Sequence, residues 1–224
     1  MTRRAESEQA TRRHITESAV HLHETVGPAR TPISAVAEHA GVRRSTVYRH
    51  FADEAALMAA CSAHWSALNP PPDLERWAEI EDPEERLRSG LEELYAYYGR
   101  TRGMLENLFR DEAISTTVAK TFRPYRAYTA AACEVLVAGR RSRGRNGKRL
   151  RAALGHAVAF ATWRSLAVEQ ELDDAEAADL MCRLVGAVAA RGHSGRAVAS
   201  GDGRRGRYPA ALPASDTAGS SAGS

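Results

Sequence analysis

Residues 37–51 are AEHAGVRRSTVYRHF, a short apolar frame with a glycine at its centre and a crowd of basic side chains. Gly41 divides it into two short helical segments, because glycine tolerates the positive φ that a tight turn requires. Ala37 and Val47 stand on either side of that turn, where two crossing helices touch. The small Ala37 permits close approach, and Val47 packs in from the second segment. Outside this apolar frame crowd Arg43, Arg44, Arg49 and His50. The pattern is that of a helix-turn-helix whose second helix, roughly 43–50, enters the major groove of DNA. The alternative is a helical hairpin with a solvated basic face.

Working outward, Ile15, Ala19, Leu22 and Val26 follow helical spacing, the stripe of a first helix that stops at Gly27-Pro28. Thr31 is placed to cap a second helix, with Pro32 at the first helical position, where its missing N–H costs nothing. Ile33, Val36, Ala37 and Ala40 form its inner face, and Phe51 closes the small core. Asp53 caps a fourth helix through Leu57, Met58, Cys61 and Trp65, which ends before the prolines of NPPPD, residues 69–73.

Beyond this point no apolar alternation marks a strand. Residues 82–100 form a helix opened by an Asp cap, a proline and acidic residues, and 103–113 form a shorter one. Pro124 kinks or splits the helix that starts at 115. The basic, Gly-punctuated segment 139–147 is expected as a loop, with final helices over 148–171 and 174–191. Seven Gly, six Ser and two Pro in residues 192–224 suggest a disordered tail. The expected architecture is all-α with about nine helices. Its divisions are a flexible arm over 1–8, a helix-turn-helix domain over 9–52, a body over 53–191 and the tail.

Composition narrows the class. A chain of 224 residues with 43% hydrophobic and 26% charged residues is long enough to bury a core and has an ordinary soluble balance. No run of about 18 apolar residues offers a membrane span. The opening MTRRAESEQATRRHITES lacks the apolar stretch of a secretory signal, so the cytoplasm is the expected location. Cys61, Cys133 and Cys182 are odd in number, far apart and set among apolar residues, which points to buried reduced thiols. His14, His21 and His23 do not share one helix face, so no metal site is expected there. The net charge of +3 is uneven: 139–151 carries seven basic and no acidic residues, whereas 61–138 and 152–190 are net acidic. Bulk charge does not announce a nucleic-acid partner, and the case rests on placement.

Three segments carry a family resemblance: RRHITESAVHLHETVG (12–27), TPISAVAEHAGVRRSTVYRHF (31–51) and DEAALMAA (53–60). Together they resemble the amino-terminal domain of the tetracycline-repressor (TetR) family. The resemblance implies a one-component transcriptional regulator, a homodimer with a DNA-reading domain and a divergent ligand-sensing domain. Carried onto matching positions, Arg43, Arg44, Ser45 and Thr46 reach base edges or phosphates, while Tyr48 and His50 sit against the DNA backbone with Arg49 on the same face. Arginine makes bidentate contacts to guanine worth about 1–3 kcal/mol of discrimination each. Thr31 and the start of the second helix are placed for phosphate. Arg3, Arg4, Arg12 and Arg13 suit either a minor-groove arm or a solubilising terminus. The chain departs from the family at Glu54, where a phosphate-contacting Lys is usual, at His23, where an aromatic is common, and at Pro32, where a second Thr is common.

In the body, Tyr95, Tyr98, Met104, Phe109, Tyr125, Tyr128 and Trp163, with His156, are candidates to line an apolar effector pocket, although each taken alone reads as ordinary core. Helix 148–171 shows two apolar stripes about 120° apart, one for the subunit and one for a partner. The first holds Leu150, Leu154, Ala157, Ala161 and Val168, and the second Phe160, Trp163 and Ala167 beside His156. Gly186, Ala187, Ala189 and Ala190 permit close helix approach, so a homodimer through 148–191 is expected. No His-Glu-x-x-His, Gly-x-Ser-x-Gly, phosphate-cradling loop or Cys-x-x-Cys occurs, so neither catalytic residues nor a cofactor are expected. A helical enzyme and a DNA-independent interaction protein stand as the alternatives. The resemblance further implies a repressor released from its operator by a small apolar ligand, through a pendulum-like swing of the fourth helix.

Overall fold

In the computed structural model, residues 3–140 and 143–190 are described, and their regular structure is helical throughout. Three helices make the head: α1 (Arg3–Thr25), α2 (Ile33–His39) and α3 (Arg44–His50). Ile15, Ala19, Ile33, Val36, Ala37, Val47 and Phe51 are buried together between them. Burying each of the larger side chains contributes about 1.5–3 kcal/mol. The turn between α2 and α3 is closed by Val42 N–H donating to Ala37 O at 2.9 Å and Gly41 N–H donating to Glu38 O at 3.0 Å. This 6→1 and 5→2 pair is a Schellman motif, and it requires the left-handed residue that Gly41 supplies at φ +62°.

The head departs from the sequence reading in three places. Residues 3–8, expected as a flexible arm, are the opening turns of α1. Val26 is exposed instead of completing the inner stripe, because α1 ends at Thr25 and His23 takes the buried place. Thr31 does not cap α2: Pro32 holds that position, and the Thr31 hydroxyl turns back to donate to Gly27 O at 2.7 Å.

From the head, α4 (Glu54–Leu68) leads into the body, capped as expected by the Asp53 carboxylate on Ala56 N–H at 2.7 Å. The body comprises α5 (Leu74–Glu79), α6 (Pro83–Asp111), α7 (Thr116–Thr121), α8 (Arg123–Val137), α9 (Gly144–Ala157), α10 (Phe160–Trp163) and α11 (Asp174–Ala190). A π-helical turn, Arg164–Glu169, prolongs α10. Helix α6 is the axis, packing on α11, α1 and α8, and α11 also packs on α9. Leu87, Leu91, Leu94, Tyr95, Tyr98, Leu105, Leu136, Leu150 and Leu154 are fully buried around it. The buried Arg86 guanidinium satisfies carbonyls at two helix ends, Ile80 O after α5 and Ala138 O after α8.

The expected helices 82–100 and 103–113 are one continuous α6. Gly103 is not a break but a contact: a Cβ there would stand 3.4 Å from Glu24 O, so its bare backbone admits α1. A short α5, fixed by the Asp73 cap on Glu75 N–H, follows the prolines and had no periodic signal of its own. Pro124 does split its helix, into α7 and α8. The expected helix 148–171 is broken at Val158-Ala159, and Ala161 of its inner stripe is exposed. At this break the carbonyls of Ala157 and Val158 accept the buried hydroxyls of Tyr95 and Tyr98 at 2.9 and 2.7 Å. Two tyrosines from α6 thereby replace the helical bonds that the break forgoes. Within the expected loop 139–147, helix begins at Gly144. The expected tail 192–224 lies outside the described residues.

Candidate nucleic-acid interface and effector cavity

Helix α3 turns Val47 fully inward and leaves Arg43, Arg44, Ser45, Tyr48 and Arg49 exposed, with Thr46 half-buried. This ridge is the set expected from the sequence. Arg44 and Tyr48, one turn apart, form a unit: Nη2 donates to the Tyr48 hydroxyl at 3.1 Å, and the guanidinium lies 5.5 Å from the ring centroid. The hydrogen bond, and then the Tyr48 and Glu54 charges, hold the Arg44 pKa above its ordinary value. Glu54 thus places a negative charge beside the basic ridge.

His50 is placed differently. It is half-buried, and its Nε2 is enclosed with no partner among the described residues. Its carbonyl accepts the Arg12 guanidinium, which also lies 4.1 Å over the Phe51 ring. Arg12 therefore clamps the carboxy end of α3 from α1 and is not part of an arm. Nothing local in the sequence pairs positions 38 residues apart. Arg3, Arg4 and Arg13 are exposed along α1, Arg4 facing Glu8 at 3.4 Å. Thr31 is half-buried with its hydroxyl committed to the turn.

A polar cluster that sequence reasoning missed ties head to body where α6 crosses the end of α1. Asn107 donates to His23 O at 3.0 Å and Glu24 O at 2.7 Å. Arg110 donates to Val26 O at 2.8 Å, to the Asn107 side-chain carbonyl and to Asp111 at 2.7 Å. The buried Asp111 accepts the Ala29 amide. Gly27, at φ +102°, makes room for this: a Cβ there would overlap the Arg110 guanidinium. His23 is buried beside the cluster, and burial pushes its pKa down to about 4, with Asp111 opposing. The common aromatic is thus replaced by an imidazole held neutral. Trp65 at the far end of α4 donates to Glu24 at 2.9 Å, a second tie to α1.

Between α4, α6, α7 and α8 lies a cavity of about 590 Å³, within the range of small-molecule sites. Ala59, Ser62, Ala63, Trp65 and Ser66 of α4 form one wall, and Tyr97, Leu105, Leu108, Lys120, Phe122, Tyr125 and Tyr128 face them. Of the expected pocket residues, only Tyr125 and Tyr128 line it. Tyr98 stands behind Tyr125, which meets its hydroxyl at 3.1 Å, and burial drives its pKa well above the ordinary value. Met104 is core, Trp163 is core with its indole N–H on Asp174 at 2.8 Å, and Phe109 lines a separate open cleft with Phe160. His156 is exposed on α9, its ring near the Thr162 hydroxyl, and belongs to no cavity wall. The aromatic spacing identified ring-rich helices but not which rings face the void. Among the described residues no group of three or more metal-ligating side chains converges, and no helix is long and apolar enough to cross a membrane.

Residues 15–61 match the sequence family described as bacterial regulatory proteins, tetR family. No curated protein matches the chain. Among solved structures it is similar to a TetR-like transcriptional regulator from Rhodococcus sp. RHA1, at 20% identity and TM-score 0.58, covering 83% of this chain and 97% of that one. It is similar also to NalD, the secondary repressor of the MexAB-OprM multidrug efflux pump in Pseudomonas aeruginosa, at 22% identity and TM-score 0.55, covering 82% and 97%. A third similar structure is AibR in complex with isovaleryl coenzyme A and operator DNA, at 19% identity and TM-score 0.56, covering 78% and 97%. These likenesses extend the fold match from the head through the body.

Proposed function

Because residues 15–61 match the tetR family of bacterial regulatory proteins, we propose that the chain is a homodimeric repressor that reads operator DNA through α3 and leaves it when a small molecule fills the α4–α8 cavity. The observation that carries the reading is the α3 ridge, in which five exposed polar or basic side chains surround the single buried anchor Val47. Arg43, Arg44, Ser45 and Thr46 meet base edges or phosphates, and Tyr48 and Arg49 meet the backbone. Thr31 and His50 contribute through the positions of their turns. Members of this family are transcription regulators rather than enzymes. The protein acts in the cytoplasm, where its operator lies.

The dimer forms through α9 and α11, within 148–191. Leu180 and Leu184 stand exposed one turn apart on α11, and Ala152, Gly155 and His156 line the outer face of α9, which packs beside it. Two such faces build a four-helix contact with two-fold symmetry, which places the two recognition helices about 34–36 Å apart for successive major grooves.

Release follows from the position of the cavity. Five residues of α4 form its wall, while α4 begins directly after α3 and holds α1 through Trp65. A ligand that favours a displaced α4 changes the spacing of the heads, at a coupling of about 1–3 kcal/mol. Genomic footprinting of the bound chain locates the operator. Arg44→Ala then weakens binding and changes base preference at one position of each half-site; an unchanged footprint and affinity would overturn the assignment of α3.

A further inference from the structure

The charge of the cavity lining narrows what the cavity takes. Among the described residues Lys120 is the one charged side chain in its wall, and no aspartate or glutamate lines it. The Lys120 ammonium has neither an ion pair nor a hydrogen bond among the described residues. Two of the facing rings already carry guanidinium groups: Arg100 lies 5.0 Å from the Tyr97 centroid and Arg126 lies 5.5 Å from that of Phe122. A cationic aromatic would therefore meet rings whose cation–π capacity is engaged, plus an unneutralised ammonium, with no carboxylate to receive it. A neutral molecule gains the apolar walls but leaves Lys120 unpaired.

The hydrogen-bonding groups point the same way. Tyr128 donates to Pro72 O and Tyr125 is engaged with Tyr98, so neither hydroxyl is available. The Tyr97 hydroxyl, on a ring only 4% exposed, has no partner among the described residues. The wall thus offers the Lys120 ammonium and, beside the Ser62, Ser66 and Thr121 hydroxyls on its rim, the Tyr97 hydroxyl, all donors suited to an oxyanion. The stacked pair of Phe122 and Tyr125, 4.6 Å apart and 5° from parallel, supplies a flat apolar bed.

We infer that the effector is an aromatic or similarly flat apolar acid, whose anionic group pairs with Lys120 and Tyr97 while its body lies against the Phe122–Tyr125 pair. This rests on the cavity being the effector site, as proposed above. The class is defined by an anionic head on an apolar body, whether carboxylate or sulfonate.

Two fluorescent probes that share one skeleton test it on the full chain: 8-anilinonaphthalene-1-sulfonate and the neutral N-phenyl-1-naphthylamine. Lys120 is exposed and unpaired, so Lys120→Gln preserves the fold, which a melting curve checks. It is expected to weaken the sulfonate about three- to fivefold, the worth of a solvent-open ion pair, and to leave the amine unchanged. Lys120→Glu is expected to weaken the sulfonate further. Ala63→Trp, at an exposed position of the mouth, is expected to exclude both probes. If Lys120→Gln changes both affinities alike or neither, while Ala63→Trp still excludes them, the anionic class is wrong and the effector site stands. If Ala63→Trp excludes neither probe, or the wild-type chain binds neither, the inference and the effector site both fall.

Discussion

Asp111, the last residue of α6, accepts a hydrogen bond from the Ala29 amide at 2.9 Å, across 82 residues of sequence. Its other oxygen holds Arg110, which reaches Val26 O, so one buried carboxylate organises the seam between body and head. Asp111→Ala leaves the Ala29 amide and the Arg110 guanidinium without this acceptor. An unsatisfied buried donor costs about 1–3 kcal/mol, more when charged. Urea unfolding is expected to show a loss of at least that size, against little change for Glu106→Ala, whose half-buried carboxylate meets only the surface Arg102.

His23 gives the chain a pH signature. Its folded pKa, about 4, lies below the ordinary 6.5, so between these values the unfolded chain takes up a proton that the folded one refuses. Its contribution is complete above pH 6.5 and is lost as pH falls toward 4, about 2 kcal/mol between pH 7.5 and pH 5. Replacing the imidazole by the aromatic common in the family, His23→Phe, removes that term. The stability difference between variant and wild type should therefore shift in favour of the variant as pH falls; parallel pH profiles would show that His23 is not the titrating group.

The Arg44–Tyr48 unit predicts non-additive energetics on DNA. Arg44→Ala is expected to cost about 1–3 kcal/mol at the operator and to alter base preference. Tyr48→Phe removes the hydroxyl that orients the guanidinium, so part of its cost disappears in the Arg44→Ala background. A double-mutant cycle measured by gel shift checks this: simple additivity would mean that Tyr48 acts on phosphate alone.

Leu184 is 51% exposed on α11, a large apolar side chain facing outward beside Leu180. If the chain dimerises through this face as proposed, Leu184→Glu is expected to give a monomer by light scattering, with the helical signal retained. Operator affinity should fall far more than the change of any one base contact explains, because two half-sites are no longer engaged together.

What the sequence made legible was local chemistry. Gly41, Asp53, Asp82 and Pro124 each act on backbone within a few residues, and the turn, caps and helix split appear where those residues put them. Arg12 on His50 O, Asp111 on the Ala29 amide and the two α6 tyrosines at the α9–α10 break are long-range bonds with no periodic trace. Gly103 misled for the same reason: it serves a neighbour 79 positions away, not its own helix. In the cavity, composition marked rings but not rotation, so Tyr98 and Tyr125, meeting through their hydroxyls, had no distinguishing mark in the sequence.

The φ of +102° at Gly27, with side chains of α6 packed where a Cβ would stand, bears on how modular this regulator is. A head exchanged at residue 52 would arrive without Asn107, Arg110 and Asp111, and its Gly27 turn would face a foreign helix. Building a hybrid sensor from this chain therefore means transplanting the end of α6 together with the DNA-reading helices, as one inheritable part split in two along the gene.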